Sequence, residues 1–239
     1  MPSQDARARL SRERVLAAAV TLADEIGVEA LSMRRLAHDL GVVPMALYKH
    51  VANKDDLLDG MVDVVIAELT DPPQDAAWQD AVRHRVLSAR QAVQRHAWAR
   101  RAIESRTRRT PTVLAHMDAV AGGFLAGGCS ADLTHHLMHA LGNRIWGFSP
   151  ELFDAPADPE AAAPDAETAA AAMAEMGRRY PHILAIATAA TDDDLGRVGE
   201  GCDEGFEFAF ALDLLLDAAE RLRRSGWTRG PAAVSTGTT

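Results

Sequence analysis

Apolar residues recur at helical spacing almost from the start of the chain. From Arg12 onward, Val15, Leu16, Ala19, Leu22, Ala23 and Ile26 fall three or four apart, which predicts an amphipathic helix stopped at Gly27. Ser11 is placed as its N-cap, with Leu10 and Val15 as a hydrophobic staple. The same device returns at Ser32, between Leu31 and Leu36, and predicts a helix to Leu40 ahead of Gly41. A very short third helix, about 43–49, carries Pro44 in its first turn, where a missing N–H costs nothing. Asn53 caps a fourth, reaching about Leu69, with Asp55 and Asp56 in the first turn where the helix dipole favours acids. Asp71-Pro72-Pro73 breaks it.

Helical periodicity continues over roughly 76–95, 97–104, 111–127, 131–148, 166–178 and 200–224, and no segment alternates with strand period. Pro156, Pro159 and Pro164 among alanines and acids predict a mobile loop over 154–168. The reading is an all-α chain: a three-helix head, 1–54, joined by the fourth helix to a helical body, 55–226, with a disordered tail at 227–239. Asp71-Pro72-Pro73 is the candidate seam between head and body.

Charge sharpens this division. The chain of 239 residues carries a net −9, yet residues 1–54 hold eight Lys or Arg against six Asp or Glu, leaving −11 on the remainder. A polyanion would be repelled by the body, so any nucleic-acid contact belongs to the head. Two cysteines, Cys129 and Cys202, are too few for a disulfide scaffold or a zinc site and suit a reducing compartment, the cytoplasm. The longest uncharged run, Ala119 to Ala131, is short and contains four glycines, so no membrane partner is expected. The chain shows no phosphate loop, dinucleotide fingerprint, metalloprotease motif or serine elbow, so neither cofactor nor catalysis is expected.

The candidate chemistry lies in Leu31–Val51, LSMRRLAHDLGVVPMALYKHV, which has the layout of a helix-turn-helix suited to a DNA major groove. Leu36, Ala37, Leu40, Val42, Leu47 and Val51 would pack the pair against Val15, Leu22 and Ile26, leaving Pro44, Met45, Ala46, Tyr48 and Lys49 outward. Arg34, Tyr48, Lys49, His50 and Lys54 can donate to phosphate oxygens, beside the N-terminus of the fourth helix. Base reading would fall to Pro44, Met45 and Ala46, through thymine methyls, and to Lys49, through guanine acceptors. A head this small binds too weakly alone, which implies a homodimer on a palindromic double-stranded operator.

These residues, with the first helix and the Asn-Lys-x-x-Leu-Leu that follows, resemble the TetR family of bacterial one-component transcription regulators over about 11–69. The segment GFEFAFALDLLLD at 205–217, with Tyr180-Pro181-His182 before it, more loosely resembles the body of the tetracycline-repressor subgroup. The resemblance implies phosphate contacts from Arg34, Tyr48, His50 and Lys54, and places Pro44, Met45 and Lys49 on bases. It further implies a cavity for a small-molecule effector whose filling moves two heads apart, as in a repressor released from its operator. Aligned through Trp78-Gln79, the magnesium-linked histidine of the tetracycline repressor becomes Ile103 and its polar pocket residues become Arg85 and Ala89, which argues against a tetracycline–magnesium chelate.

Three features of the body bear on the effector and the dimer. His139, Asn143 and Trp146 on helix 131–148, with Met117 and Ile103, are read as further cavity wall; the alternative is a metal sensor or enzyme using His135 and His139, spaced as a chelating pair. Residues 83–109 hold nine arginines and one acid, Glu104. This is either a solvated face or a source, through Arg85 or Arg101, of a partner for an anionic effector. Helix 200–224 is apolar on two sides, so Phe206, Phe210 and Leu214 are assigned to a four-helix dimer interface together with Leu137 and Leu141. Asp192, Asp193 and Asp194 lack calcium-loop spacing and are read as a helix start or loop.

Overall fold

Three of the first four helices begin where a short polar side chain caps them. In the computed structural model, which describes residues 9–106, 109–146, 166–190 and 204–229, Ser11 Oγ accepts from the Arg14 N–H and opens α1 (Arg12–Ile26). Ser32 accepts from Arg35 and opens α2 (Met33–Asp39). Asn53 accepts from Asp56 and opens α4 (Lys54–Ala67). Between them Pro44 takes the first position of α3 (Pro44–Leu47). This helix is shorter than the spacing predicts, since Tyr48, Lys49 and His50 form turns after it. The α2–α3 turn depends on Gly41, whose φ of 65° is left-handed, and which lets the Val42 N–H reach back to the Ala37 carbonyl at 2.9 Å.

The remaining helices are α5 (Trp78–Arg95), α6 (Ala99–Ser105), α7 (Pro111–Ala126), α8 (Ala131–Trp146), α9 (Ala166–Arg179), α10 (Pro181–Ala190) and α11 (Glu204–Arg224). No strand occurs among the described residues. α10 has no counterpart in the sequence reading, which placed no helix between 178 and 200. Pro181 sits at its first helical position, where the lost N–H has no partner to forfeit. α4 ends two residues before Leu69 because its last turn tightens, Glu68 and Leu69 bonding three residues back at 3.2 Å.

The chain divides into two compact units, 1–147 with 212–239, and 148–211. One core joins Val15, Leu22, Leu36, Leu47 and Val51 of the helix-turn-helix to Leu57, Met61 and Val65 of α4 and on to Trp98, Ala99 and Ala102 at α6. α1 and α4 approach so closely that a Cβ at Gly60 would stand 2.6 Å from Leu16. In the same unit Trp78 packs on Phe124, with ring centroids 5.8 Å apart.

Trp227–Arg229 open the stretch read as a disordered tail, yet they are held. The Trp227 ring meets His136 edge-on at 5.5 Å and the Arg229 N–H donates to Asp132 at 2.8 Å. Residues 230–239, the loop residues 154–165, Asp192, Asp193, Asp194 and Cys202 lie outside the described residues.

Candidate nucleic-acid interface and effector cavity

Leu47, fully buried, anchors α3 in the core and turns the rest of the element outward. Met45 is 71% exposed, and Pro44, Tyr48 and Lys49 share its solvent face, with Ala46 and His50 half-buried at its edges. Arg34 on α2 and Lys54 at the start of α4 are exposed on either side of it in sequence. Val43, also exposed, belongs to this surface and was not part of the sequence reading.

What holds the recognition element in place was not visible from spacing. Arg12 donates from Nη1 to the His50 carbonyl at 2.8 Å and grips Asp56 with both terminal nitrogens, at 3.1 and 2.8 Å. Asp56 also accepts from the Ala52 N–H at 2.8 Å. The entry of α1, the exit of α3 and the first turn of α4 thus share one guanidinium, whose pKa the Asp56 bond raises above its ordinary value.

A second knot lies at the other end of α4. The buried His96 ring has Nδ1 2.8 Å from Asp24 of α1 and Nε2 3.2 Å from Glu68, while the buried Trp98 Nε1–H donates to Asp24 at 2.6 Å.

Between these knots α4 forms one wall of a cavity of about 810 Å³, closed by α6, α7 and α8. Ile103, Met117 and His139 line it, beside Val62, Ile66, Val113, Leu125 and Met138. Arg85 and Ala89 do not. Arg85 turns to Asp71 at 2.8 Å and Ala89 is sealed in the core, because α5 presents these two positions to other partners. Arg101, the other candidate, pairs with Glu29 of the head. The side chains of Asn143 and Trp146 lie outside the described residues.

Cationic and polar groups reach the cavity from elsewhere: Arg106, Arg109, His116, Thr134 and His135. Burial, and then the nearby Arg85, push His116 below its ordinary 6.5, so it faces the cavity as a neutral ring at neutral pH. His135 and His139 lie edge to face at 4.7 Å, but among the described residues no group of three His, Cys, Asp or Glu is placed to hold a metal.

Leu137 and Leu141 are buried within the protomer, Leu141 on the cavity wall, so they cannot meet a second chain as expected. The apolar stripe of α8 serves its own core. On α11, by contrast, Phe206, Phe210 and Leu214 fall on one side at four-residue intervals and are 63%, 53% and 54% exposed, while Phe208, Leu212, Leu216 and Ala219 are buried.

A helix-turn-helix with an open recognition face, braced by the helix that walls an internal cavity, defines a ligand-responsive DNA-binding transcriptional regulator. The sequence model for bacterial regulatory proteins of the tetR family matches residues 15–61, and that for the tetracyclin repressor-like C-terminal domain matches 71–222. The chain belongs to the tetR family. It is similar to the HTH-type transcriptional repressor DrrR1 of Streptomyces coeruleorubidus, 28% identical over 229 residues, 92% of this chain and 81% of that one. It is also similar to the class D tetracycline repressor of Escherichia coli, 39% identical over 92 residues, 37% of this chain and 42% of the repressor, so this second likeness spans less than half of either. Apo ActR from Streptomyces coelicolor shares the fold, with a TM-score of 0.69 at 23% identity over 93% of this chain and all of that one. Among the described residues no helix is long and apolar enough to cross a membrane.

Proposed function

We propose that the protein is a homodimeric repressor that binds a palindromic operator through the α3 faces of two heads and releases it when a small-molecule effector fills the cavity. The observation that carries this reading is the double engagement of α4: Asp56 braces the recognition element through Arg12, and Val62 and Ile66 of the same helix wall the cavity. A ligand that shifts α4 therefore acts on the DNA face. The repressors among its relatives support the direction of the response, and the exposed α11 stripe supports the dimer. In this reading Pro44, Met45, Ala46 and Lys49 meet base edges, while Arg34, Tyr48, His50 and Lys54 clamp phosphates. The protein acts as a regulator and not as an enzyme.

Selection of bound duplexes from a random library at two salt concentrations tests this. A palindromic consensus whose affinity falls steeply with salt is the expected result, and no enrichment at either salt overturns the reading. On the selected duplex, Lys54→Ala weakens all sequences about equally and lowers the salt slope by about one, whereas Lys49→Ala relaxes preference at one base pair, worth about 1–3 kcal/mol. Uniform losses from both variants would remove the base-reading role of Lys49.

A further inference from the structure

We infer that the cavity is built for an apolar, ring-bearing acid whose anion takes Arg106 away from Asp55 and Asp59 of α4. The inference rests on the effector-responsive reading above and names the chemical class of that effector.

Arg106 follows α6 directly, its side chain is 17% exposed, and it lies on the cavity wall. Its hold on α4 is loose. Nη1 alone reaches Asp55, at 3.0 Å to Oδ1 and 3.3 Å to the carbonyl, and Asp59 at 3.4 Å, while Nε donates to Ser105 Oγ at 3.3 Å. Arg12 instead grips Asp56 with two nitrogens. Contacts made through one nitrogen shared among several oxygens lose to a ligand carboxylate or sulfonate that can take the guanidinium fork with both oxygens.

Arg106 and Arg109 bring two cations to the wall, which also carries Asp59, itself a partner of Arg106, and Asp118. Ten Val, Ile, Leu and Met side chains supply its apolar part, which suits a ring system. The α8 wall adds a second polar point: Thr134 Oγ1, buried there, has no hydrogen-bond partner among the described residues. A donor or acceptor on the ligand ring would satisfy it.

The consequence falls on α4. With Arg106 withdrawn, Asp55 and Asp59 lose this tie to the segment after α6, while Asp56 between them still holds Arg12 and, through it, the exit of α3. An acid in the cavity thereby frees the first two turns of α4 together with the recognition element.

The test uses two fluorescent probes with the same ring system on the full-length protein without DNA: anilinonaphthalene sulfonate, an apolar acid, and phenylnaphthylamine, its neutral twin. Wild-type protein should prefer the sulfonate by about tenfold or more. Arg106→Gln should erase the preference while keeping the affinity for the neutral twin, which also reports an intact cavity. Joint replacement Asp55→Asn and Asp59→Asn, removing the competitors for Arg106, should tighten the sulfonate several-fold and leave the neutral probe unchanged. Equal affinities in wild-type protein, no binding of either probe, a preference that survives Arg106→Gln, or no gain in the asparagine variant would each overturn the inference. Because no operator is present, these outcomes stand apart from whether the protein binds DNA. A protein that selects a palindrome but ignores the sulfonate defeats this inference alone.

Discussion

Phe210→Glu is expected to convert the dimer to monomers and to weaken operator binding by at least about 100-fold, the scale on which two linked binding events exceed one. Phe206 and Phe210 stack with centroids 6.3 Å apart, and both are open to solvent with Leu214. Apolar side chains in such a row gain by covering one another, and roughly 25 cal/mol is gained per Å² of apolar surface removed from water. A carboxylate at the middle position would face its symmetry mate and lose its water, costing several kcal/mol per ion. Sedimentation equilibrium reads the split and anisotropy with the selected duplex reads the loss. A dimer of unchanged affinity would remove this side of α11 from the interface.

The second large effect is on stability. Trp98→Ala is expected to lower it by about 3–5 kcal/mol, the range for truncating a buried tryptophan. At roughly 2–4 °C per kcal/mol for a chain of this size, that is a fall in melting temperature on the order of 10 °C. Trp98 is buried where the α5–α6 junction meets α1, and its indole N–H is tied to Asp24 at 2.6 Å beside His96. Trp98→Phe keeps most of the ring, gives up only the N–H bond, and should cost about 1 kcal/mol. Thermal unfolding followed by circular dichroism separates the two. Equal, small losses would mean that Trp98 is not part of the joint between head and body.

Much of the head was legible because its signals are local. The caps at Ser11, Ser32 and Asn53, the glycine of the α2–α3 turn and Pro44 all act within a few residues of themselves, and each stands where the sequence placed it. The outward set Pro44, Met45, Tyr48 and Lys49 was equally accessible, since burying Leu47 leaves those neighbours no other direction. Contacts between distant residues were not. Arg12 and Asp56 are 44 positions apart, and Asp24 and Trp98 are 74 apart, and nothing in composition or period ties one to the other.

The body misled for related reasons. An arginine on α5 can turn toward a cavity or toward a nearby acid, and Asp71 decided it for Arg85. The leucines of α8 form one apolar side, which a protomer core and a dimer interface would explain equally well until burial separates them. α10 was not read from the sequence, although Pro181 at its first position is where a helix best tolerates proline.

Because binding energies are reciprocal, the link between cavity and DNA face can be read from either end. The most direct measurement is the affinity of the wild-type protein for anilinonaphthalene sulfonate, with and without a saturating amount of the selected operator duplex. Bound operator is expected to weaken the probe about 5- to 150-fold, the ordinary range of coupling between sites. An affinity identical in the two titrations would contradict the claim that α4 joins effector and operator.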